Sequence, residues 1–79
     1  MKVEIIETRT STVNNKTLTS MAVIIQRRKI WIDGDLEGVT VNGNYAEFND
    51  NDFCVVQRKN DKGNYIKLMP KFTMEISAI

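Results

Sequence analysis

The residues with the clearest potential for chemistry are basic side chains that stand near aromatic rings in the sequence. Cations neutralise phosphates and aromatic rings stack on bases, the latter contributing about 1–3 kcal/mol per base, so this combination is typical of single-strand binding. Two clusters have it: Arg27, Arg28 and Lys29 beside Trp31, and Arg58, Lys59 and Lys62 beside Tyr65. These eight are the candidate binding residues of the chain.

The charges of the chain fall into three blocks. Residues 1–29 hold six basic and two acidic residues, residues 30–52 hold six acidic and no basic ones, and residues 53–79 hold five basic and two acidic ones. The whole chain carries only +1, with a pI near 7.8, whereas dedicated nucleic-acid-binding domains are strongly basic. The alternative is that basic and acidic strands lie side by side and neutralise each other across a solvated sheet face. The question is whether the two basic clusters meet on one face.

The composition argues against most enzyme chemistry. The chain has no histidine and one cysteine, so a Ser-His-Asp triad, a Cys-His pair and a histidine-ligated metal site are impossible within it. Its four glycines match neither the dinucleotide-binding pattern nor the phosphate-binding loop. We expect no catalytic residues and no cofactor.

Two acidic stretches could in principle hold a metal ion. Asp33, Asp35 and Glu37 are spaced by two, but a turn at Gly34 would separate the first from the others. Residues 49–52 resemble a calcium loop, yet the glycine and the terminal glutamate that such a loop needs are absent. We therefore expect ordinary turns and no metal.

Length and hydropathy predict one domain of 79 residues, at the lower limit of what one core can stabilise. The first residues alternate charged and apolar side chains and do not resemble a signal peptide, and the longest apolar run is only residues 21–25. Cys54 cannot form a disulfide within the chain, which fits a reducing, cytoplasmic environment. We expect no membrane association.

The second half of the chain predicts strands. Residues 65–76 alternate apolar and polar side chains, the pattern of a half-buried strand that Pro70 would bend or place at an edge. Residues 53–59 predict a strand that pairs antiparallel with it across the Asn-Asp-Lys-Gly-Asn loop. Lys67 and Lys71 point away from the core in this pattern and could block pairing at an exposed edge.

The first half also predicts strands. Residues 2–10 form one, followed by a polar turn at residues 11–16, and residues 17–26 fit a helix or a strand, with strand favoured by their β-branched side chains. Type I′ turns at Asp33-Gly34 and Asn42-Gly43 would divide residues 29–48 into a three-stranded meander. The 42–44 segment could instead be a three-residue loop.

The sequence thus predicts an all-β domain, a small barrel or sandwich of six to seven antiparallel strands built from hairpins and a meander. Exposed sheet edges and a thin core favour a non-enzymatic binding or regulatory module that acts through a protein surface and associates with itself. The alternative is a single-stranded nucleic-acid binder that uses the two basic clusters. Trp31 is either a binding anchor or a core residue.

Overall fold

The computed structural model describes residues 1–71. The chain forms seven strands and one short 3₁₀ turn. In chain order they are β1 (Lys2–Val13), β2 (Lys16–Ile25), β3 (Arg28–Asp33), β4 (Thr40–Asn42), β5 (Tyr45–Glu47), the 3₁₀ turn (Asp50–Asp52), β6 (Phe53–Asn60) and β7 (Gly63–Pro70). The predicted all-β class is confirmed.

All seven strands belong to one mixed sheet with the order β4-β5-β1-β2-β3-β7-β6. Every neighbouring pair is antiparallel except β3 and β7, which run parallel. The prediction of antiparallel strands is therefore wrong for this one pair. The reason is the long connection from residue 34 to residue 62, which lets β7 return beside β3 in the same direction.

The sheet packs on one core. The buried side chains of this core come from β2, β3, β5, β6 and β7 and from the residue just after β5, and they form one cluster: Met21, Val23, Ile30, Ile32, Ala46, Phe48, Phe53 and Leu68. The rings of Phe48, just after β5, and Phe53, at the start of β6, meet edge to face with 5.6 Å between centroids. This contact links the residue after β5 to the start of β6, although β5 and β6 are not hydrogen-bonded partners among the described residues.

The first three strands form a meander with two tight turns. Asn14 and Asn15 join β1 to β2, and Gln26 and Arg27 join β2 to β3; all four have positive φ between 52° and 65°, as type I′ turns require. Residues 17–25 are strand, as favoured. The predicted polar turn at residues 11–16 does form but is shorter than expected: asparagine adopts left-handed φ readily, so Asn14 and Asn15 suffice for the turn and residues 11–13 belong to β1.

The predicted meander over residues 29–48 does not form. Gly34 is not a hairpin turn: its N–H donates to Thr19 O at 2.7 Å and prolongs the contact of β3 with β2. The chain then turns, with Leu36 N–H donating to Asp33 O at 3.1 Å. Of the predicted strand 36–41, only the last two residues are strand, as part of β4. The β4–β5 hairpin pairs with β1 because the far side of β3 is occupied by β7.

The β4–β5 turn differs by one residue from the expectation. Asn42 pairs with Tyr45, so the two-residue loop is Gly43-Asn44 and not Asn42-Gly43 or a three-residue loop. Gly43 has a φ of +60°, which glycine adopts without steric cost. The Asn44 carbonyl accepts a hydrogen bond from Ile5 N–H at 2.7 Å and ties the hairpin to β1.

The predicted β6–β7 hairpin is confirmed. The Asn60 side chain accepts a hydrogen bond from Lys62 N–H at 2.9 Å, and Gly63 follows with positive φ. Pro70 ends β7 opposite Phe53. Of the predicted alternating residues, Leu68 is buried and Ile66 packs against the core, whereas Phe72, Met74 and Ile76 lie outside the described residues. Across residues 1–71, no helix is long and apolar enough to span a membrane.

Gly34 is expected to tolerate no side chain. A Cβ at this position would lie 2.8 Å from the backbone oxygen of Thr19, on the neighbouring strand. We expect Gly34→Ala to lower the free energy of unfolding by about 1–3 kcal/mol, the usual cost of overpacking, as measured by urea denaturation. A Cβ on Gly43 would meet nothing within 4 Å, so Gly43→Ala separates the cost of positive φ from that of a steric clash. Unchanged stability of Gly34→Ala would contradict the close contact of β2 with residue 34.

Candidate binding surface

An open groove on the outer face of the sheet collects basic and aromatic side chains from β1, β3, β7 and the β6–β7 turn. We call it the basic groove and define it by six of its lining residues: Arg9, Lys29, Trp31, Lys62, Tyr65 and Lys67. Asp33 is the one carboxylate that lines it within the described part of the chain. The formal charge of the lining is thus +3, compared with +1 for the whole chain.

The register of the first three strands explains why long side chains meet over β2. Ser20 lies between Arg9 and Asp33, and Ala22 lies between Glu7 and Trp31, as direct cross-strand neighbours. Cross-strand neighbours share a face of the sheet. Because β2 contributes only small side chains here, the long side chains of β1 and β3 reach across it. Ala22 is fully buried although it lies outside the core cluster.

Trp31 is the centre of this arrangement. The guanidinium carbon of Arg9 and the Nζ of Lys29 each lie 5.0 Å from a Trp31 ring centroid, within the range of cation–π attraction. The side chain is half-buried and is not a member of the core cluster. The ring therefore packs on the outer face, where it remains partly accessible.

Glu7 holds the two cations in place. Its carboxylate accepts a hydrogen bond from Lys29 Nζ at 2.8 Å and one from Arg9 Nε at 2.9 Å. The hydrogen bond from Lys29 is the main cause that lowers the pKa of Glu7, Arg9 adds to it, and partial desolvation opposes them. The three side chains form one ionic cluster above the sheet.

A second ion pair crosses the parallel strands. Lys67 Nζ lies 2.7 Å from Asp33 Oδ2, and the backbone of Lys67 is next to that of Trp31. Lys67 points away from the core as predicted, but β7 lies between β3 and β6. The suggestion that Lys67 blocks an exposed edge is therefore wrong, and its role here is to neutralise Asp33.

The eight predicted binding residues are only partly brought together. Lys29, Trp31, Lys62 and Tyr65 line the basic groove. Arg58 is the cross-strand neighbour of Tyr65 and shares its face, one strand farther out. The other three lie elsewhere: Lys59 projects from the opposite face of β6, and Arg27 and Arg28 occupy the β2–β3 turn and the start of β3.

Sequence reasoning missed Arg9, Lys67 and Glu7. The i, i+2 spacing of Glu7 and Arg9 puts both on one face of a strand, which was a usable signal. Their contact with Lys29 and Trp31 depends on the β1–β2–β3 register, which the sequence did not specify. The expected neutralisation of basic by acidic segments is seen once among the ion pairs of residues 1–71, at Lys67 and Asp33.

The acidic stretches form turns. The chain turns between Asp33 and Leu36, and the Asn49 side chain accepts a hydrogen bond from Asn51 N–H at 3.1 Å at the start of the 3₁₀ turn. Within residues 1–71, no three cysteine or acidic side chains are grouped so that they could hold a metal ion.

Comparison with known proteins gives no relative: no family model, no curated protein and no solved structure matches this chain.

The Glu7 cluster predicts an acid shift that NMR can measure. We expect the pKa of the Glu7 carboxyl to lie below that of an ordinary glutamate and to rise toward it in Lys29→Gln, because the main hydrogen bond is lost. A lowered native pKa adds stability above the unfolded pKa, and this contribution disappears as the pH falls through the lowered value. Lys62→Gln is the control, since Lys62 lines the groove but makes no hydrogen bond to Glu7. An unchanged Glu7 pKa in Lys29→Gln would contradict the cluster.

Proposed function

We propose that this chain is a non-enzymatic binding module that acts through protein–protein contact at the exposed side chains of β6, including association with itself. The observation that carries the proposal is an exposed apolar side chain: Val55, near the middle of β6, is 38% exposed. Within residues 1–71, β6 stands last in the strand order, with β7 as its neighbour.

The side chains around Val55 support this use of β6. Gln57, Arg58 and Lys59 follow it on the same strand and are exposed and polar. An apolar centre with a polar rim is the usual composition of a protein–protein interface.

A charge in the middle of β6 tests the proposal. We expect Val55→Lys to weaken self-association about tenfold or more, because it replaces an apolar contact by a charge that loses its hydration in the interface, while the unfolding midpoint changes little at this exposed position. Sedimentation velocity over a concentration series measures the association. Val41→Lys is the matched control, since Val41 is 49% exposed on the other end strand.

The two variants distinguish the possible interfaces. A loss of association in Val41→Lys but not in Val55→Lys would move the interface to β4. If neither variant changes an association that the parent protein shows, the proposal that an end strand of the described sheet carries the binding surface fails.

The basic groove supports a second candidate function, binding of single-stranded nucleic acid. The specific observation is that Lys29, Trp31, Lys62 and Tyr65, from two separate sequence clusters, line one groove together with Arg9 and Lys67. Four cations could contact successive phosphates while a base stacks on Tyr65. Three of these four cations are already partly neutralised, because Glu7 pairs with Arg9 and Lys29 and Asp33 pairs with Lys67. This pairing argues against strong binding of nucleic acid.

Titration of a fluorescent oligonucleotide tests this second function. We expect affinity to fall steeply with salt, and Lys62→Ala to weaken binding and reduce the magnitude of the salt slope by about one. Lys59→Ala should leave both unchanged because Lys59 projects from the other face of β6. Equal effects of the two substitutions, or binding that does not depend on salt, would exclude the groove as a phosphate site.

A further inference from the structure

We infer that Tyr65, Lys62 and Arg58 form a subsite for one nucleotide at the β6–β7 end of the basic groove, with the base stacked on the Tyr65 ring and the phosphate held by the two cations. The inference rests on the second candidate function and specifies the residues that contact the ligand. The chemistry recognised is an aromatic base that carries a sugar phosphate, either as a free nucleoside monophosphate or as one unit of a single strand.

The ion pairs divide the basic groove into two ends. At the β1–β3 end, Glu7 and Asp33 partly neutralise the cations. At the β6–β7 end, Lys62 and Arg58 are exposed, and neither takes part in the ion pairs found within residues 1–71. Asp61, in the same turn as Lys62, does not line the groove. A phosphate therefore binds at this end without displacing a carboxylate from its cation.

The strand register places the two cations beside the Tyr65 ring. Arg58 is the direct cross-strand neighbour of Tyr65, so their side chains share the outer face of the sheet. Lys62 lies in the turn between β6 and β7 and lines the groove together with Tyr65. Neighbouring strands are only about 4.8 Å apart, so both long side chains reach a phosphate whose base lies on the ring.

Gly63 leaves open space next to the ring. It lies two residues before Tyr65 on β7, so the two positions share the outer face. A Cβ at Gly63 would meet nothing within 4 Å. The groove as a whole has a volume of about 460 Å³, within the usual range of small-ligand sites. The space beside Tyr65 therefore admits a planar base.

Tyr65 is the ring that is accessible for stacking. Arg9 and Lys29 already lie over the ring of Trp31, each 5.0 Å from a centroid. No ring or cation lies over Tyr65 among the described residues, and its side chain is only half-buried. Stacking on an aromatic side chain tolerates every base, so the subsite should show little base preference.

An NMR titration of the isotope-labelled protein with adenosine monophosphate tests the subsite. We expect the amide signals of Gly63 and Tyr65 to shift, while that of Gly43, which lies outside the basic groove, stays in place. Ribose phosphate serves as the ligand without a base. It should bind about tenfold more weakly than adenosine monophosphate, because it cannot stack on Tyr65.

Substitutions identify the contacts, with adenosine monophosphate and a fluorescent oligonucleotide as the two probes. Tyr65→Leu should weaken binding about tenfold, whereas Tyr65→Phe keeps the ring and should retain most of the affinity. Arg58→Gln should weaken binding severalfold and reduce its salt dependence, because one phosphate contact is lost. Lys59→Gln is the matched control, since the next position on β6 faces the other way. Circular dichroism verifies that each variant is folded.

The outcomes separate the subsite from the second candidate function. Binding that depends on Tyr65 and Arg58 but not on Lys59 supports the subsite. If this dependence is seen only with the oligonucleotide, the nucleotide is recognised as part of a strand; if only with adenosine monophosphate, the subsite stands and the second candidate function fails.

Two results would overturn the inference. If the oligonucleotide binds but neither Tyr65→Leu nor Arg58→Gln weakens it, nucleic acid contacts another surface and the subsite is wrong. If ribose phosphate binds as tightly as adenosine monophosphate, the base does not stack on Tyr65. Absence of binding with both the oligonucleotide and adenosine monophosphate excludes the subsite and the second candidate function together.

Discussion

The parallel pairing of β3 with β7 is the contact on which the rest of the sheet depends. It joins the β1–β2–β3 meander to the β6–β7 hairpin through only two backbone pairs, Ile30 with Ile66 and Trp31 with Lys67. On the core side, Ile30 is fully buried and Ile66 packs against the same cluster. On the outer side, Lys67 reaches Asp33. The junction therefore unites the core and also brings β7 beside Trp31, which creates the basic groove.

Local signals predicted the elements better than their arrangement. The alternating residues of β7, the β-branched residues of β2 and the Asn-Asp-Lys-Gly loop each act over a few positions, and each predicted its strand or hairpin correctly. The position of β3 depends on competition between distant partners. A turn at Gly34 would have placed residues 36–41 beside β3, but β7, more than thirty residues away, occupies that side. No short-range pattern contains this information.

The same distinction applies to the candidate surface. The sequence indicated that Lys29, Trp31, Lys62 and Tyr65 could act together, and the groove contains all four. It also grouped Arg58 with Lys59, although successive side chains of a strand face opposite ways. Glu7, which holds Arg9 and Lys29 over the tryptophan ring, is a single acid in a basic segment, and only the strand register reveals its partners. Net charge along the sequence is therefore a poor guide to which cations remain available.

The β2–β3 turn has a thermodynamic consequence for the whole domain. Gln26 and Arg27 both adopt left-handed φ, a conformation that costs non-glycine residues of order 1–3 kcal/mol each where the side chain does not suit it. A domain of this size typically has a total stability of only about 5–15 kcal/mol. The strands on both sides sustain the cost because Val23 and Ile30, the third cross-strand pair from the turn, are fully buried. An Asn-Gly dipeptide suits this turn, so its introduction in place of Gln26-Arg27 is expected to raise the melting temperature. The stabilised domain would then tolerate destabilising substitutions at other positions.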